Sequence, residues 1–356
     1  MASAIKQTIL HILLICFNPP NQKMLFTAVT NNSKQHSLKT YNIHKPKSFL
    51  MKILYLSCLL LAPLFINAQT EIDAIMMSKN NFCFGVIYQN SSWNKYWEGS
   101  FKRENLNLGT VTTASIAINA NYGLSDKLNL IVSLPYVETA ATAGTMAGQK
   151  GLQDISFTVK YMPIEKTIGI STYSLYAIGS FSAPASNYSA DYLPLSLGLG
   201  SKTATIRLMA DYQRGSFFTT LSAAYTKRAN IQIDRNAYYT TEMHYTNEVD
   251  MPDVIAVNAR IGYRTKRLIA EAILDNAVTQ SGGFDITTNN MPFPSNTMNA
   301  LKAGINTKYT LKTVPALSVV GGYNVVIEGR NIGQSTTFYG GLFYVLTFKK
   351  KVKNEK

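Results

Sequence analysis

Residues 110–136 have the sequence TVTTASIAINANYGLSDKLNLIVSLPY, in which apolar and polar side chains alternate. Successive side chains of a β-strand point to opposite faces, so a period of two residues is typical of a strand with one apolar face. The apolar face consists of Ala114, Ile116, Ile118, Ala120 and Tyr122 in the first half, and of Leu128, Leu130, Val132, Leu134 and Tyr136 in the second. The stretch therefore predicts two antiparallel strands joined by a tight turn at 123–126.

The same alternation recurs as far as residue 348 and predicts about twelve strands. Their predicted positions are 81–90, 109–122, 127–138, 152–162, 169–182, 202–213, 216–227, 253–264, 267–279, 298–311, 315–328 and 336–348. Short turns are predicted at 123–126, 163–168, 214–215, 265–266 and 312–314, and long loops at 91–108, 139–151, 183–201, 228–252, 280–297 and 329–335. Several apolar faces end in tyrosine, an amphipathic side chain that suits the boundary between lipid hydrocarbon and headgroups.

The chain has a pattern that favours a membrane protein built from strands. No run of 18 or more apolar residues follows Thr70, which excludes a protein that crosses the membrane by helices. The other structure able to cross a bilayer is a closed β-barrel. A soluble β-sandwich also has alternating strands, but predicted strands of about 11 to 14 residues exceed the usual length. We therefore predict an all-β fold over residues 69–348, a transmembrane antiparallel up-and-down β-barrel.

An even number of strands leaves both ends of a barrel on the same side of the membrane. We therefore expect this chain in the outer membrane of a Gram-negative bacterium, with its short turns in the periplasm and its long loops outside the cell.

Residues 51–68 have the pattern of a secretory signal peptide. Lys52 precedes an apolar run too short to span a bilayer, and Ala68 provides the small residue expected before the cleavage point. We predict a mature chain that begins at Gln69 or within a few residues of it.

The two ends of the chain stand apart from the barrel. Residues 1–50 have two competing explanations, a mis-assigned gene start with translation from Met51, or a genuine disordered extension before the signal peptide. Residues 349–356 contain five Lys and one Glu, and we predict that they form a basic periplasmic tail.

The formal net charge of +14 would suit a nucleic-acid-binding protein, but much of it belongs to the predicted leader. Seven of the 34 basic residues precede Ala68, and no acidic residue does. The mature chain is only mildly basic and has no basic recognition motif, so no nucleic-acid partner is expected. Cys83 is the one cysteine after the leader, which leaves no intramolecular disulfide.

The residues offer little for catalysis. The mature chain has one histidine, His244, in a predicted loop that also carries Glu242, Glu248, Asp250 and Asp253. A histidine-assisted hydrolase is one interpretation of this loop, and a solvated loop with scattered charge is the other. No nucleophile, nucleotide or metal motif accompanies it, so we expect no enzyme activity, no cofactor and no metal.

Charged side chains occur on the strand faces opposite the apolar ones. A Lys or Arg facing lipid near the middle of the bilayer costs about 2–4 kcal/mol, so we expect these charges to face the lumen. They are Lys160, Arg207, Asp211, Arg260, Glu271, Asp275, Lys302, Lys308 and Glu328. Two interpretations stay open, a plug of paired charges that stabilises the barrel and a polar wall along a solute path.

Residues 122–137, YGLSDKLNLIVSLPYV, resemble a hairpin of the form YGL(S/T)D-(K/R)L-x-L-x-x-S-L-PYV. This hairpin occurs in an outer-membrane family described as components of the meta-pathway of phenol degradation, whose members are often called transporters. The next strand, GLQDISFTVKY at 151–161, resembles the family's G-L-G-D strand, with Gln153 in place of glycine. The resemblance implies a barrel related in architecture to channels for hydrophobic compounds, and it supplies no agreed binding residues.

The last predicted strand has an aromatic and apolar face that resembles the closing strand recognised by the barrel-assembly machinery. Phe338, Leu342, Tyr344, Leu346 and Phe348 form this face, although further residues follow it here. The expected partners are therefore the lipid bilayer with its lipopolysaccharide, the barrel-assembly machinery during biogenesis, and a small-molecule solute.

The leading functional hypothesis is a narrow outer-membrane channel for a small solute, hydrophobic or aromatic in character. A twelve-stranded barrel has a lumen between the filled interior of eight-stranded barrels and the open pore of sixteen-stranded porins. The alternative is a structural or adhesive surface barrel whose long loops bind a partner.

Overall fold

The computed structural model describes residues 72–280, 282–286 and 292–348. The predictions for the leader, 1–68, and for the basic tail, 349–356, lie outside these residues. The helical structure in the described part is one 3-10 turn, Ala190–Tyr192. None of the described helices is long and apolar enough to cross a bilayer.

Twelve long strands form the wall of a closed barrel. They are β1 Asn81–Trp93, β2 Val111–Ser125, β3 Leu128–Ala141, β4 Asp154–Ile168, β5 Ser171–Pro184, β6 Thr203–Arg214, β7 Phe217–Arg228, β8 Asp253–Arg264, β9 Leu268–Gln280, β10 Asn299–Thr310, β11 Leu317–Arg330 and β12 Thr336–Thr347. Each pairs antiparallel with the next strand, and β12 pairs with β1 from Asn81↔Thr347 to Ser92↔Thr336. The predicted up-and-down barrel is confirmed.

The two faces of the strands are divided as the alternation predicts. On β6, Ile206 and Leu208 point outward and are 70% and 66% exposed, whereas Met209 and Asp211 point inward and are buried. The outward side chains form an apolar belt that would contact lipid. A shift of one residue would turn every side chain to the other face, so the belt specifies the register of the wall.

One predicted turn is wrong. The segment 163–168 is not a turn but the end of β4, and Gly169 and Ile170 form the turn instead. The strand continues past Pro163 because a β-bulge interrupts its pairing between Tyr161 and Ile164. Proline has no N–H to donate, and a bulge leaves one residue without a ladder hydrogen bond.

The hairpin that joins β2 and β3 is also tighter than predicted. A bulge between Gly123 and Ser125 extends β2, so the turn itself consists of Asp126 and Lys127. A Cβ atom on Gly123 would lie 2.2 Å from the carbonyl oxygen of Ser78. Glycine is therefore required here because the backbone of Met77 and Ser78, just before β1, passes directly against this position.

The long loops pack against one another at the end of the barrel opposite the short turns. Side chains from three of these loops form a shared apolar cluster of Ala190, Ile231, Ile233, Tyr238, Val249, Met251 and Phe293. The loops at the outer end of the barrel are therefore held together by side-chain packing in addition to the pairing of the strands.

A single asparagine joins three loops at the same end. Asn331 is 2% exposed and has a φ of 53°. Its Oδ1 accepts hydrogen bonds from the N–H groups of Gly99, at 2.8 Å, and Ile286, at 3.0 Å. Its Nδ2 donates to Asp285 Oδ1 at 2.7 Å and to the carbonyl oxygen of Thr297 at 2.8 Å. Hydrogen bonds from Arg330 also hold the pKa of Asp285 below its usual range.

We expect Asn331→Ala to loosen these loops without opening the barrel. The change leaves two buried N–H groups without an acceptor, which costs about 2 kcal/mol. Limited proteolysis of intact cells should then cut the loops about thirtyfold faster, because cleavage follows the population of the opened state. Asn331→Gly is the matched control for backbone strain. Glycine also lacks the amide, but it adopts a positive φ without the steric cost that alanine has. Unchanged proteolysis in both variants would show that the amide does not hold the loops together.

Candidate functional site

The candidate site is a cavity of about 490 Å³ in the lumen. Inward side chains of β1 and of β8 to β12 line it, together with the chain before β1. One part of the lining is apolar and includes Ile87, Ile273, Val320 and Phe343. The charged part consists of Asp73, Arg260, Arg264, Glu271, Asp275, Lys302 and Lys308.

The chain before β1 lies inside the barrel. Lys160, with no exposed side-chain surface, donates from Nζ to Asp73 Oδ1 at 3.0 Å and to the carbonyl oxygen of Ile75 at 2.9 Å. The Lys160 ammonium also contacts the carbonyl oxygen of Asp73. The Tyr176 hydroxyl donates to the carbonyl oxygen of Ala74 at 3.0 Å. Residues 72–78, which we call the inner segment, are thereby attached to β4 and β5 from within.

The inner segment also packs against a second part of the wall, formed by β1 and β12. Met77 is 1% exposed and forms an apolar cluster with Cys83 of β1 and with Phe343 and Val345 of β12. A second cavity of about 650 Å³ lies between the inner segment and the short turns. The two cavities share Ile75, Arg264 and Ile269 in their linings, so the inner segment stands where they meet.

A buried ion pair joins β8 and β9 within the cavity wall. Arg260 Nη1 lies 2.7 Å from Glu271 Oε1, and the two side chains are 6% and 4% exposed. Asn306 Nδ2 donates to the same carboxylate oxygen at 2.8 Å, and the Tyr339 hydroxyl donates to Asn306 Oδ1 at 3.0 Å. Asn258 Oδ1 accepts from Arg260 Nε at 3.0 Å. Hydrogen bonds of this kind help to offset the cost of burying the two charges.

A second ion pair lies nearer to the short turns. Arg264 Nη1 is 2.9 Å from Asp211 Oδ2, across the intervening strand β7. The Thr220 hydroxyl donates to Asp211 Oδ1 at 2.5 Å. The Arg264 guanidinium also stacks over the Phe218 ring, 3.9 Å from its centroid. These contacts link β6, β7 and β8 on the luminal side.

Most of the charged residues predicted to be luminal do point into the barrel. Arg260, Glu271, Asp275, Lys302 and Lys308 line the first cavity, and Asp211 lines the second. Lys160 holds the inner segment, and Arg207 donates from Nη1 to the Ser222 hydroxyl at 2.9 Å. Their part in solute passage stays a prediction, because these contacts describe position and pairing alone.

Glu328 does not line the cavity. A β-bulge between Leu301 and Lys302 inserts one extra residue into β11, so Lys302 pairs with Val326 and Leu301 pairs with Glu328. Residues directly opposite each other in an antiparallel pair share a face. Glu328 therefore lies on the face of Leu301, where its side chain is exposed, and not on the face of Lys302.

The sequence argument missed the inner segment and two side chains of the ion-pair network. Asp73 was missed because a short stretch between a leader and a first strand carries no periodic signal. Arg264 has such a signal, since it stands four residues after Arg260 on the same strand face. Tyr339 stands between residues of the aromatic closing strand, and its ring lies over Gly322, where a Cβ would be 2.2 Å from its hydroxyl oxygen.

In the loop around His244, the imidazole contacts Thr240 and Tyr238, and nearby acidic residues bond to other side chains. His244 Nε2 lies 2.8 Å from the Thr240 hydroxyl oxygen, and the imidazole stacks on Tyr238 with ring centroids 4.7 Å apart. Asp253 instead pairs with Lys227 at 3.0 Å, and Asp250 accepts from Asn230 at 2.6 Å. Within residues 72–280, 282–286 and 292–348, no group of three or more His, Cys, Asp or Glu could hold a metal ion.

The fold is similar to that of the COG4313 outer membrane channel from Pseudomonas putida F1. The TM-score is 0.63 and the sequence identity 13%, over 79% of this chain and 100% of that chain. The KdgM porin matches with a TM-score of 0.39 and 9% identity, over 74% of this chain and 99% of that chain, which is too weak to carry an argument. No family model matches the chain, and no curated protein sequence matches it.

The closed wall and its apolar outer belt define the class of this protein, an outer-membrane β-barrel. The similarity to the Pseudomonas channel concerns the fold alone at this level of identity. The relation to the meta-pathway family, inferred from 122–137 and 151–161, is not confirmed by the comparisons and stays a prediction.

Proposed function

We propose that this protein is an outer-membrane channel that passes a small solute through its lumen. The observation that carries the proposal is the cavity of about 490 Å³ between the loops and the inner segment, with charged groups and apolar side chains on its wall. Side chains that fill the lumen stabilise a narrow barrel, so a barrel that served only as a membrane anchor would be expected to have a filled lumen.

The proposed solute is small, with a hydrophobic or aromatic body. Ile87, Ile273, Val320 and Phe343 offer an apolar surface to such a body inside the cavity. The resemblance of the first hairpin to the meta-pathway family supports the same class. In this proposal the inner segment narrows the route to the periplasm, and solute passes where the first cavity meets the second.

The test is permeation through the purified full chain in proteoliposomes and planar bilayers. We expect discrete conductance steps in salt, and faster entry of small solutes such as phenol than of a trisaccharide. Boiled protein, which loses its barrel, is the control for leakage. Absence of permeation for every solute tested, by protein that keeps heat-modifiable gel mobility, would refute the channel.

A structural or adhesive surface barrel is the second candidate function, and one observation favours it. The hairpin of Tyr238–Tyr239 with Met243–His244 exposes apolar side chains in the longest loop. Tyr239, Met243 and Tyr245 are 54%, 52% and 87% exposed. Loss of cell adhesion on deletion of 239–245, together with an impermeable barrel, would support this candidate. Under either function, lipopolysaccharide and the barrel-assembly machinery are proposed partners.

A further inference from the structure

The cavity contains one cation that the ion-pair network does not engage. Asp73, Asp211 and Glu271 each pair with a basic side chain at 2.7–3.0 Å. Lys302 also faces the cavity, but it forms no hydrogen bond or ion pair with any residue that the structure describes. An ammonium group beside apolar surface and without a carboxylate is available to an anionic ligand.

The nearest acidic neighbour of Lys302 is already engaged elsewhere. Asp275 lies directly opposite Lys302 in the pairing of β9 with β10. Its carboxylate accepts a hydrogen bond from Asn258 Nδ2 at 3.2 Å, and the ammonium of Lys302 is not among its ion-pair partners. Residues of opposite charge that face each other across two strands often form a salt bridge. Asp275 and Lys302 do not, and the ammonium of Lys302 faces the lumen.

The charges that line the cavity leave a positive excess. Arg260 is neutralised by Glu271 within the lining, and Arg264 by Asp211 outside it. Asp73 is neutralised by Lys160, which is not part of the lining. Counted over the whole lining, the basic residues Arg260, Arg264, Lys302 and Lys308 outnumber the acidic residues Asp73, Glu271 and Asp275 by one positive charge.

The inward side chains of β10 form a row from the loops towards the inner segment. Lys302, Gly304, Asn306 and Lys308 are the members of this row. At a rise of about 3.3 Å per residue the two lysines stand roughly 20 Å apart along the strand. Gly304, between them, has no side chain because Asn324 packs close to it, and a Cβ there would lie 2.7 Å from Asn324 Cβ.

We propose that Lys302 is the specificity-determining residue of the lumen and binds the carboxylate of a small monocarboxylate with an apolar body. The inference rests on the proposed channel function and names its solute class. The carboxylate accepts hydrogen bonds from the ammonium of Lys302, and the apolar body lies against Ile273, which lines the same cavity and pairs with Gly304, two residues along β10 from Lys302. Lys308 marks the inner end of the path that an anion would follow along β10.

Binding is tested first, without reference to transport. Benzoate, benzamide and benzylammonium share a ring of one size and carry a negative, no and a positive charge. Ligand-observed NMR on the detergent-solubilised full chain should show benzoate bound and the other two bound more weakly. Lys302→Gln should weaken benzoate binding on the order of tenfold, while Lys302→Arg should retain it. Arg207→Gln is the matched control, because it removes a luminal charge that does not line this cavity.

Selectivity is tested second, by the reversal potential of single channels in a salt gradient. The wild-type channel should prefer anions, Lys302→Gln should reduce this preference, and Asp275→Asn should increase it. Equal binding of the three probes, or benzoate binding that is the same in Lys302→Gln, would overturn the inference. A barrel that binds benzoate through Lys302 but conducts nothing would refute the channel function and leave the binding site standing. A barrel that conducts but has no preference for benzoate would refute the binding site and leave the channel function standing.

Discussion

Lys160→Met should release the inner segment from the lumen and raise the single-channel conductance severalfold. Lys160 is fully buried, and its ammonium holds the Asp73 carboxylate and the carbonyl oxygen of Ile75. Removal of one partner from a buried ion pair costs about 3–5 kcal/mol, because the remaining buried charge loses that partner. The Tyr176 hydrogen bond and the Met77 cluster also hold the segment, so we expect it to leave the lumen for part of the time while the wall stays folded.

Cys83 provides an independent readout of this release. Its thiol is 2% exposed and packs in the cluster that includes Met77 of the inner segment. Maleimide should label Cys83 much faster in Lys160→Met than in the wild type. Addition of Asp73→Asn should partly restore protection, since the uncharged amide is less costly to bury than an unpaired carboxylate. Wild-type labelling and conductance in Lys160→Met would show that this ion pair does not hold the segment.

Leu208→Arg should destabilise the folded barrel by about 2–4 kcal/mol, the cost of a basic side chain on the lipid face near the middle of the bilayer. Leu208 stands midway along β6, between Ala177 of β5 and Ala223 of β7, and is 66% exposed. The small neighbours offer no partner for an arginine. Ile206→Arg should cost less, because Ile206 pairs with Tyr225, whose hydroxyl bonds to Asp253 at the outer end of β8.

Arg207→Leu is the matched control, since Arg207 adjoins Leu208 but points to the lumen, where it bonds to Ser222. We expect this variant to keep its heat-modifiable mobility on unboiled gels and to unfold in urea near the wild-type midpoint. A reversed result, with Arg207→Leu unfolded and Leu208→Arg unaffected, would show that the inside and outside faces have been assigned the wrong way round.

The cavity residues were only partly predictable from their strands. Arg260, Glu271 and Lys302 could be assigned to the lumen from alternation alone, because charge on the other face would meet lipid. Alternation predicts the face of a side chain only where no β-bulge interrupts the pairing of the strand with its neighbour. The bulge at Leu301 and Lys302 therefore moved Glu328 to the other face, and the bulge beside Pro163 turned a predicted turn into strand.

The sequence by itself determined the class of fold, the strand count and the direction of the side chains. One face of each strand meets lipid and the other meets the lumen, so apolar and polar side chains alternate, and this alternation can be recognised in the sequence alone. The tertiary structure alone decided the register in which β12 closes on β1, the entry of residues 72–78 into the lumen, and the pairing of luminal charges such as Arg264 with Asp211. These contacts join residues distant in sequence, and their energies depend on distances across the lumen that no local pattern encodes.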